Sequence, residues 1–311
     1  MLPYIGFPIN KACPLRCQYC APGAEAAVSS KSNIDINDLK RRANLAIEEG
    51  FTKFRLTGGE PLLHPKIGEI LHFFSNLPAI TTINTAAFLI EKKSSIFENL
   101  GPSLKVICSL DSLRMDRFNT ITQTNKYFDA TIKGIKIVAN LGILKRLNMM
   151  VVRDNMDEVF DMIDFCSKLS CDLKVSDIAQ ATDQFENWNE THVNLKEIEL
   201  EIARMANSFK LHPYTKQYGI PCIIYNVKGV NITVKSSYNG TTYSLNGHCK
   251  SCKHFPCEEG HYFINSMPDN SLSACRLNGY YIPPNENLKE SFDIMKNMFE
   301  KVEYFKPSKL N

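Results

Sequence analysis

Nowhere in these 311 residues do about 18 apolar residues run together, so the chain carries no stretch able to cross a bilayer as a helix. The start MLPYIGFPIN lacks the basic segment and apolar core of a secretory signal. Without an export signal, the 11 cysteines read as thiols and metal ligands in a reducing compartment, and the cytoplasm is the expected location. A large excess of either charge is missing too. The 36 basic and 33 acidic side chains leave +3, which gives no argument for a nucleic-acid partner, although it leaves room for a local basic pocket that takes a phosphate. There is no internal repeat and no low-complexity segment, and the single tryptophan, Trp188, reads by default as a core or interface residue. What is present, 44% hydrophobic and 22% charged residues, is an ordinary soluble composition sufficient for one large domain plus a small one.

Against that background Cys13, Cys17 and Cys20 stand out, three thiols within eight residues. Thiolates are the ligands of iron–sulfur clusters, and four irons held by three protein sulfurs leave one iron open to a small molecule. A zinc knuckle would want a fourth Cys or His nearby, but the next candidates are His64 and Cys108. An odd number of close cysteines cannot all pair as disulfides.

From this loop onward, short β-rich runs alternate with helical patterns. Strands are expected at residues 4–9, 53–57, 79–84, 105–110, 147–152 and 173–176, with helices at 37–49, 67–76, 127–141 and 156–168. Six such units imply parallel pairing through right-handed crossovers, and they are too few for a closed eight-stranded barrel. A partial (β/α)6 barrel fits the count, although a flat doubly wound sheet would show the same alternation. In a barrel the functional residues belong at the C-terminal strand ends, and three loops there carry candidate chemistry: 13–20, 58–61 and 109–111. A long helix is expected over 190–209, its apolar stripe formed by Leu195, Ile198, Ile202 and Met205. Short β-like runs follow at 220–226 and 229–235, then a second cysteine group. The expected division is a core over 1–185, a linking helix over 186–210 and a small C-terminal domain over 211–311.

The spacing Cys-x3-Cys-x2-Cys with Tyr19 before the last thiol resembles the signature of the radical S-adenosylmethionine (SAM) enzymes. The resemblance implies an α/β partial TIM-like barrel, a [4Fe–4S] cluster whose open iron chelates SAM, and reductive cleavage to a 5′-deoxyadenosyl radical that takes hydrogen from the substrate. It further implies an electron donor of the flavodoxin or ferredoxin type. Gly58, Gly59, Glu60 and Pro61 resemble the GGEP motif that contacts the SAM amino group. The segment from Val106 through Ser109 and Asp111 to Thr122 is similar to the fourth strand of the GTP 3′,8-cyclases of molybdenum-cofactor synthesis, where the matching serine touches SAM. That similarity covers most of residues 5–180.

Cys249, Cys252, Cys257 and Cys275, with a hairpin expected between the last two, resemble the Twitch-type auxiliary cluster domain of that subfamily. Four thiols suit either a second [4Fe–4S] cluster or an all-cysteine zinc site, and spacing does not separate them. Substrate-side positions depart from the cyclases. An arginine of their opening strand falls at Gly6, and the arginine pair of their hairpin falls at Glu259 and His261. Arg55 is kept, Asn84 stands for a threonine, and Arg146 stands for a lysine. The resemblance therefore implies retained radical chemistry on a small molecule other than GTP, with Arg55 and Arg146 hinting at an anionic group. Alternatives are a peptide-maturing radical SAM enzyme, for which the twelve residues before Cys13 leave no docking domain, and a divergent GTP cyclase. Cys108, Cys166, Cys171 and Cys222 read as buried small hydrophobes. The charges at Glu91, Lys92, Lys93 and across 154–161 read as solvated helix ends.

Overall fold

A computed structural model describes residues 2–20, 31–178, 188–212, 220–244, 248–252, 263–275, 281–285, 287–300 and 302–305. The strands are β1 (Tyr4–Pro8), β2 (Lys53–Thr57), β3 (Ile80–Thr85), β4 (Leu104–Ser109), β5 (Leu144–Met150) and β6 (Asp172–Ser176), then β7 (Ser208–Leu211), β8 (Ile223–Val227), β9 (Val230–Lys235), β10 (Thr241–Ser244), β11 (Phe263–Ser266), β12 (Leu272–Ser273), β13 (Tyr281–Ile282) and β14 (Val302–Phe305). The helices are α1 (Ile36–Glu48), α2 (Ile67–Ser75), α3 (Met115–Thr122), α4 (Phe128–Asn140), α5 (Val159–Leu169), α6 (Trp188–Thr191), α7 (Lys196–Met205), α8 (His248–Ser251) and α9 (Leu288–Glu300).

Strands β1 to β6 pair in parallel and in chain order. Without a reversal of strand order there is no switch point, which separates this sheet from a doubly wound one and fits a partial barrel. Ile5, Phe7, Phe54, Leu56, Ile83, Val106, Leu147 and Leu173 form the apolar side and pack with α2 and its neighbours. Gly6, Arg55, Asn84, Ser109, Arg146 and Lys174, at the alternate positions, face the other side, the barrel interior. Each strand thus follows period-two alternation between an apolar outer and a polar inner face.

Segments beyond residue 185 join the same sheet at both ends. β9 lies parallel to β6 and β11 lies parallel to β1. β8 and β9 turn through Lys228 (φ 51°) and Gly229 (φ 82°), a two-residue hairpin that needs positive φ at both positions. The hairpin expected from Pro268, Asp269 and Asn270 is present as β11–β12, with Asn270 at φ 73°.

Two expectations are corrected. The long helix over 190–209 is broken into α6 and α7. The Asn194 side chain accepts from the Lys196 N–H at 2.9 Å just before α7 begins, and Phe209 pairs with Tyr225 in β7–β8. Leu195, Ile198 and Ile202 are buried as the stripe required, but Met205 is exposed. Glu158 is no solvated helix end: it is fully buried and accepts from the Ser112 hydroxyl at 2.8 Å and the Leu113 N–H at 2.8 Å. Trp188 has no described side chain.

Candidate active site

The cysteine loop leaves β1 and lies flat on the turn that leaves β2. Asn10, fully buried, accepts from the Gly59 N–H at 2.9 Å through its carbonyl and donates through Nδ2 to the Glu60 carbonyl at 2.8 Å. The Ala12 carbonyl accepts from the Glu60 N–H at 2.7 Å. A Cβ at Gly58 (φ 144°) would stand 2.4 Å from the Asn10 carbonyl oxygen, and one at Gly59 would stand 2.4 Å from that of Ala12. The two glycines are therefore required for the loop and the turn to touch.

On its other side the loop docks against the end of α3, where helix carbonyls need donors. Arg16 N–H donates to Thr122 O at 3.0 Å and Gln18 N–H to Ile121 O at 3.0 Å. Sequence reasoning passed over α3 as an element, because its residues registered only as part of the cyclase-like segment. Tyr19 closes this grip: its hydroxyl donates to Asp111 Oδ2 at 2.5 Å, while Asp111 Oδ1 accepts from the Met150 N–H at 2.8 Å. Burial raises the Asp111 carboxyl to about 6, against the lowering effect of these two donors. Cys13 and Cys20 are exposed and Cys17 is half-buried. Desolvation, then the Asp111 charge and the two neighbouring thiols, push Cys17 up, so the three sulfurs sense one another. Among the described residues no three His, Cys, Asp or Glu side chains close around a single metal ion. Three thiols on one loop are the number a cubane cluster with one open iron takes.

Glu60 is buried, with its carboxyl raised by desolvation. Oε1 accepts from the Thr85 hydroxyl at 2.6 Å and the Leu62 N–H at 3.0 Å, and Oε2 accepts from the Ala86 N–H at 2.8 Å. Pro61, also buried, opens the 3₁₀ turn Pro61–Leu63 behind it. Ser109 ends β4 opposite Asn148 on the inward face.

Deeper in the barrel the Arg55 guanidinium lies 4.8 Å from the Tyr4 ring centroid and 5.4 Å from that of Phe263. Arg146 donates through Nε to Asn148 Oδ1 at 3.0 Å. Burial lowers Arg146, and Arg55 adds to that effect. Lys174 on β6 was missed at the sequence level because a lysine in a strand carries no motif. Burial drives it well below its ordinary value, and Lys235, Arg146 and Arg55 reinforce the shift. Cys108, Cys166 and Cys171 do pack in the apolar core, but Cys222 does not belong with them. It is buried and raised to about 11 by desolvation, with Lys174 and Lys235 pulling the other way.

Of the second cysteine group, Cys249 and Cys252 sit on and just after α8, and Cys275 follows β12, all half-buried. Cys257 lies outside the described residues, as do Glu259 and His261.

Residues 7–166 match the family described as the Radical SAM superfamily. A GTP 3′,8-cyclase of Helicobacter pylori (strain HPAG1) is 29% identical over 187 residues, which span 58% of this chain and 57% of that one. A probable GTP 3′,8-cyclase of Methanothermobacter thermautotrophicus is 25% identical over 292 residues, 93% of this chain and 87% of that one. Thus the chain spans little more than half of the Helicobacter relative and most of the archaeal one. Among solved structures, Streptococcus suis SuiB bound to precursor peptide SuiA superposes with a TM-score of 0.69 at 16% identity, covering 94% of this chain and 65% of that one. The structure titled native anSMEcpe with bound AdoMet gives 0.59 at 15% identity, covering 94% and 81%. These two likenesses speak for the fold.

Proposed function

The chain belongs to the radical SAM superfamily and is an enzyme of it; from that premise we propose that Cys13, Cys17 and Cys20 hold a [4Fe–4S] cluster, that SAM binds between them and the Gly58–Pro61 turn, and that the substrate is a small anionic molecule other than GTP. When bound, this pair of cofactors supplies the radical that removes hydrogen from the substrate. The chain's own residues position and shield. Asn10 and the two glycines fix the loop against the turn. Glu60 Oε2, with one donor among the described residues, keeps capacity for the SAM amine, and Ser109 lies two strands away at the end of β4. Tyr19 and Asp111 fix the back of the loop. Arg55 and Arg146, near Lys174, supply a basic interior for a carboxylate or phosphate, with Asn84 on the same inward face.

The observation that carries this reading is the pair of hydrogen bonds joining Gly59 and Glu60 to the backbone of the cysteine loop. It brings two stretches about fifty residues apart into one site, and an unrelated metal knuckle would not need it. Cys249, Cys252, Cys257 and Cys275 are proposed to hold a second [4Fe–4S] cluster, fed like the first by a flavodoxin- or ferredoxin-type donor.

Anaerobically reconstituted protein given SAM and dithionite should release 5′-deoxyadenosine, and Cys17→Ala should release none. A colourless protein carrying zinc in place of iron would overturn the reading. Two cubane clusters require about eight irons per chain; about four would remove the second.

A further inference from the structure

The geometry points to Asn265 as a substrate-selecting side chain, one that accepts a hydrogen bond from an O–H or N–H of a phosphorylated molecule whose anionic group rests on Arg55, Arg146 and Lys174. This inference rests on the function proposed for the same cavity.

Gly6 of β1 pairs with Asn265 of β11 on one side and with Arg55 of β2 on the other. All three occupy inward positions, because Ile5 and Ile264 between them belong to the outer apolar core. The Asn265 carboxamide lies across the bare Gly6: a Cβ there would stand 2.2 Å from Asn265 Oδ1 and 3.8 Å from Arg55 Nη2. The space a side chain at position 6 would fill is thus taken from the C-terminal hairpin. Asn265 is 2% exposed, and its Oδ1 is buried with no hydrogen-bond partner among the described residues. Asn84 Oδ1, on an inward position of β3, is in the same condition.

Folded proteins leave few buried carbonyl oxygens without a donor, because each forfeits the hydrogen bond it had to water. Two such oxygens on inward positions of one sheet, the first beside Arg55, describe a face left for donors from outside the described residues. An amide oxygen accepts, so the ligand group at Asn265 must donate. The neighbouring Arg55 guanidinium calls for an anion. A phosphate carried on a hydroxylated skeleton satisfies both. Sites of this kind discriminate strongly, because an analogue without the donor leaves the buried acceptor unpaired.

The test compares wild-type protein with Asn265→Leu, which is similar in volume but has no acceptor, using ribose 5-phosphate and inorganic phosphate as probes. Without ligand, Asn265→Leu should melt no lower than wild type, since its Oδ1 gives up no bond to the described residues. Ribose 5-phosphate should bind the variant about 10-fold more weakly than wild type, while inorganic phosphate binds both alike. A melting temperature lowered by several degrees would make Asn265 a structural residue and overturn the assignment. Equal binding of ribose 5-phosphate to both proteins, or none to wild type, would also overturn it. Should Asn265→Leu fail to fold, Asn265→Ala carries the same binding expectation with the same consequences. Wild-type protein that cleaves no SAM would instead strike the preceding reading and leave the binding comparison standing.

Discussion

Tyr19 shows how much one hydroxyl can decide. As an aromatic before the third thiol it was legible in the sequence, but its partner was not, because Asp111 is 92 residues away. The phenol ties the cysteine loop to a carboxylate that the Met150 backbone also holds, so both ends of the tie are fixed. A hydrogen bond to a charged group contributes roughly 1.5–3 kcal/mol. Tyr19→Phe should therefore cost about 2 kcal/mol in urea unfolding of the cluster-free protein. The same change made on Asp111→Asn should cost much less. Additive losses in that double-mutant cycle would show that the two side chains are not coupled.

Between elements, the decisive contact joins the first helix to the C-terminal hairpin. Arg42 of α1 is almost fully buried and donates to Ser266 Oγ and to the Asn270 carbonyl, each at 2.5 Å. Burial lowers its guanidinium to about 10, which leaves it charged at neutral pH. Asn270 in turn donates to Asp38 Oδ2 at 3.1 Å. The sequence predicted both α1 and the hairpin turn, but an arginine on a helix looks solvated until its partner is known. Arg42→Met should lower stability by about 2–3 kcal/mol and expose residues 263–273 to protease before the core is cut, as read by mass spectrometry of early fragments. Uniform cleavage would deny the tie. Glu158 repeats the lesson: in the sequence it looks like a solvated charge, and it is buried because the segment before α3 supplies its donors.

For the whole molecule, the curled sheet gathers cations from strands far apart in the chain into one interior, and their mutual field is measurable. His212 feels it: burial first, then Arg146 and Lys174, lower it from an ordinary 6.5 to about 4. The unfolded chain therefore binds a proton between these values that the folded chain does not. Stability contributed by neutral His212 is present above pH 6.5 and lost as pH falls toward about 4. His212→Gln should flatten that part of the stability–pH curve in denaturant titrations. An unchanged slope would place the histidine outside the field.

The local codes are legible in the chain alone: three thiols at fixed spacing, two glycines before Glu60, and apolar periodicities that mark six strands in parallel series. Those features are short-range, so a single stretch of chain carries them whole. Which side chains share the interior depends on the fold, because inward and outward faces are set by register between strands. Lys174 and Asn265 become neighbours of a site only once β6 and β11 take their places in the sheet. The same holds for the glycines: the turn was legible as a place of close approach, but the fold made the cysteine loop the partner.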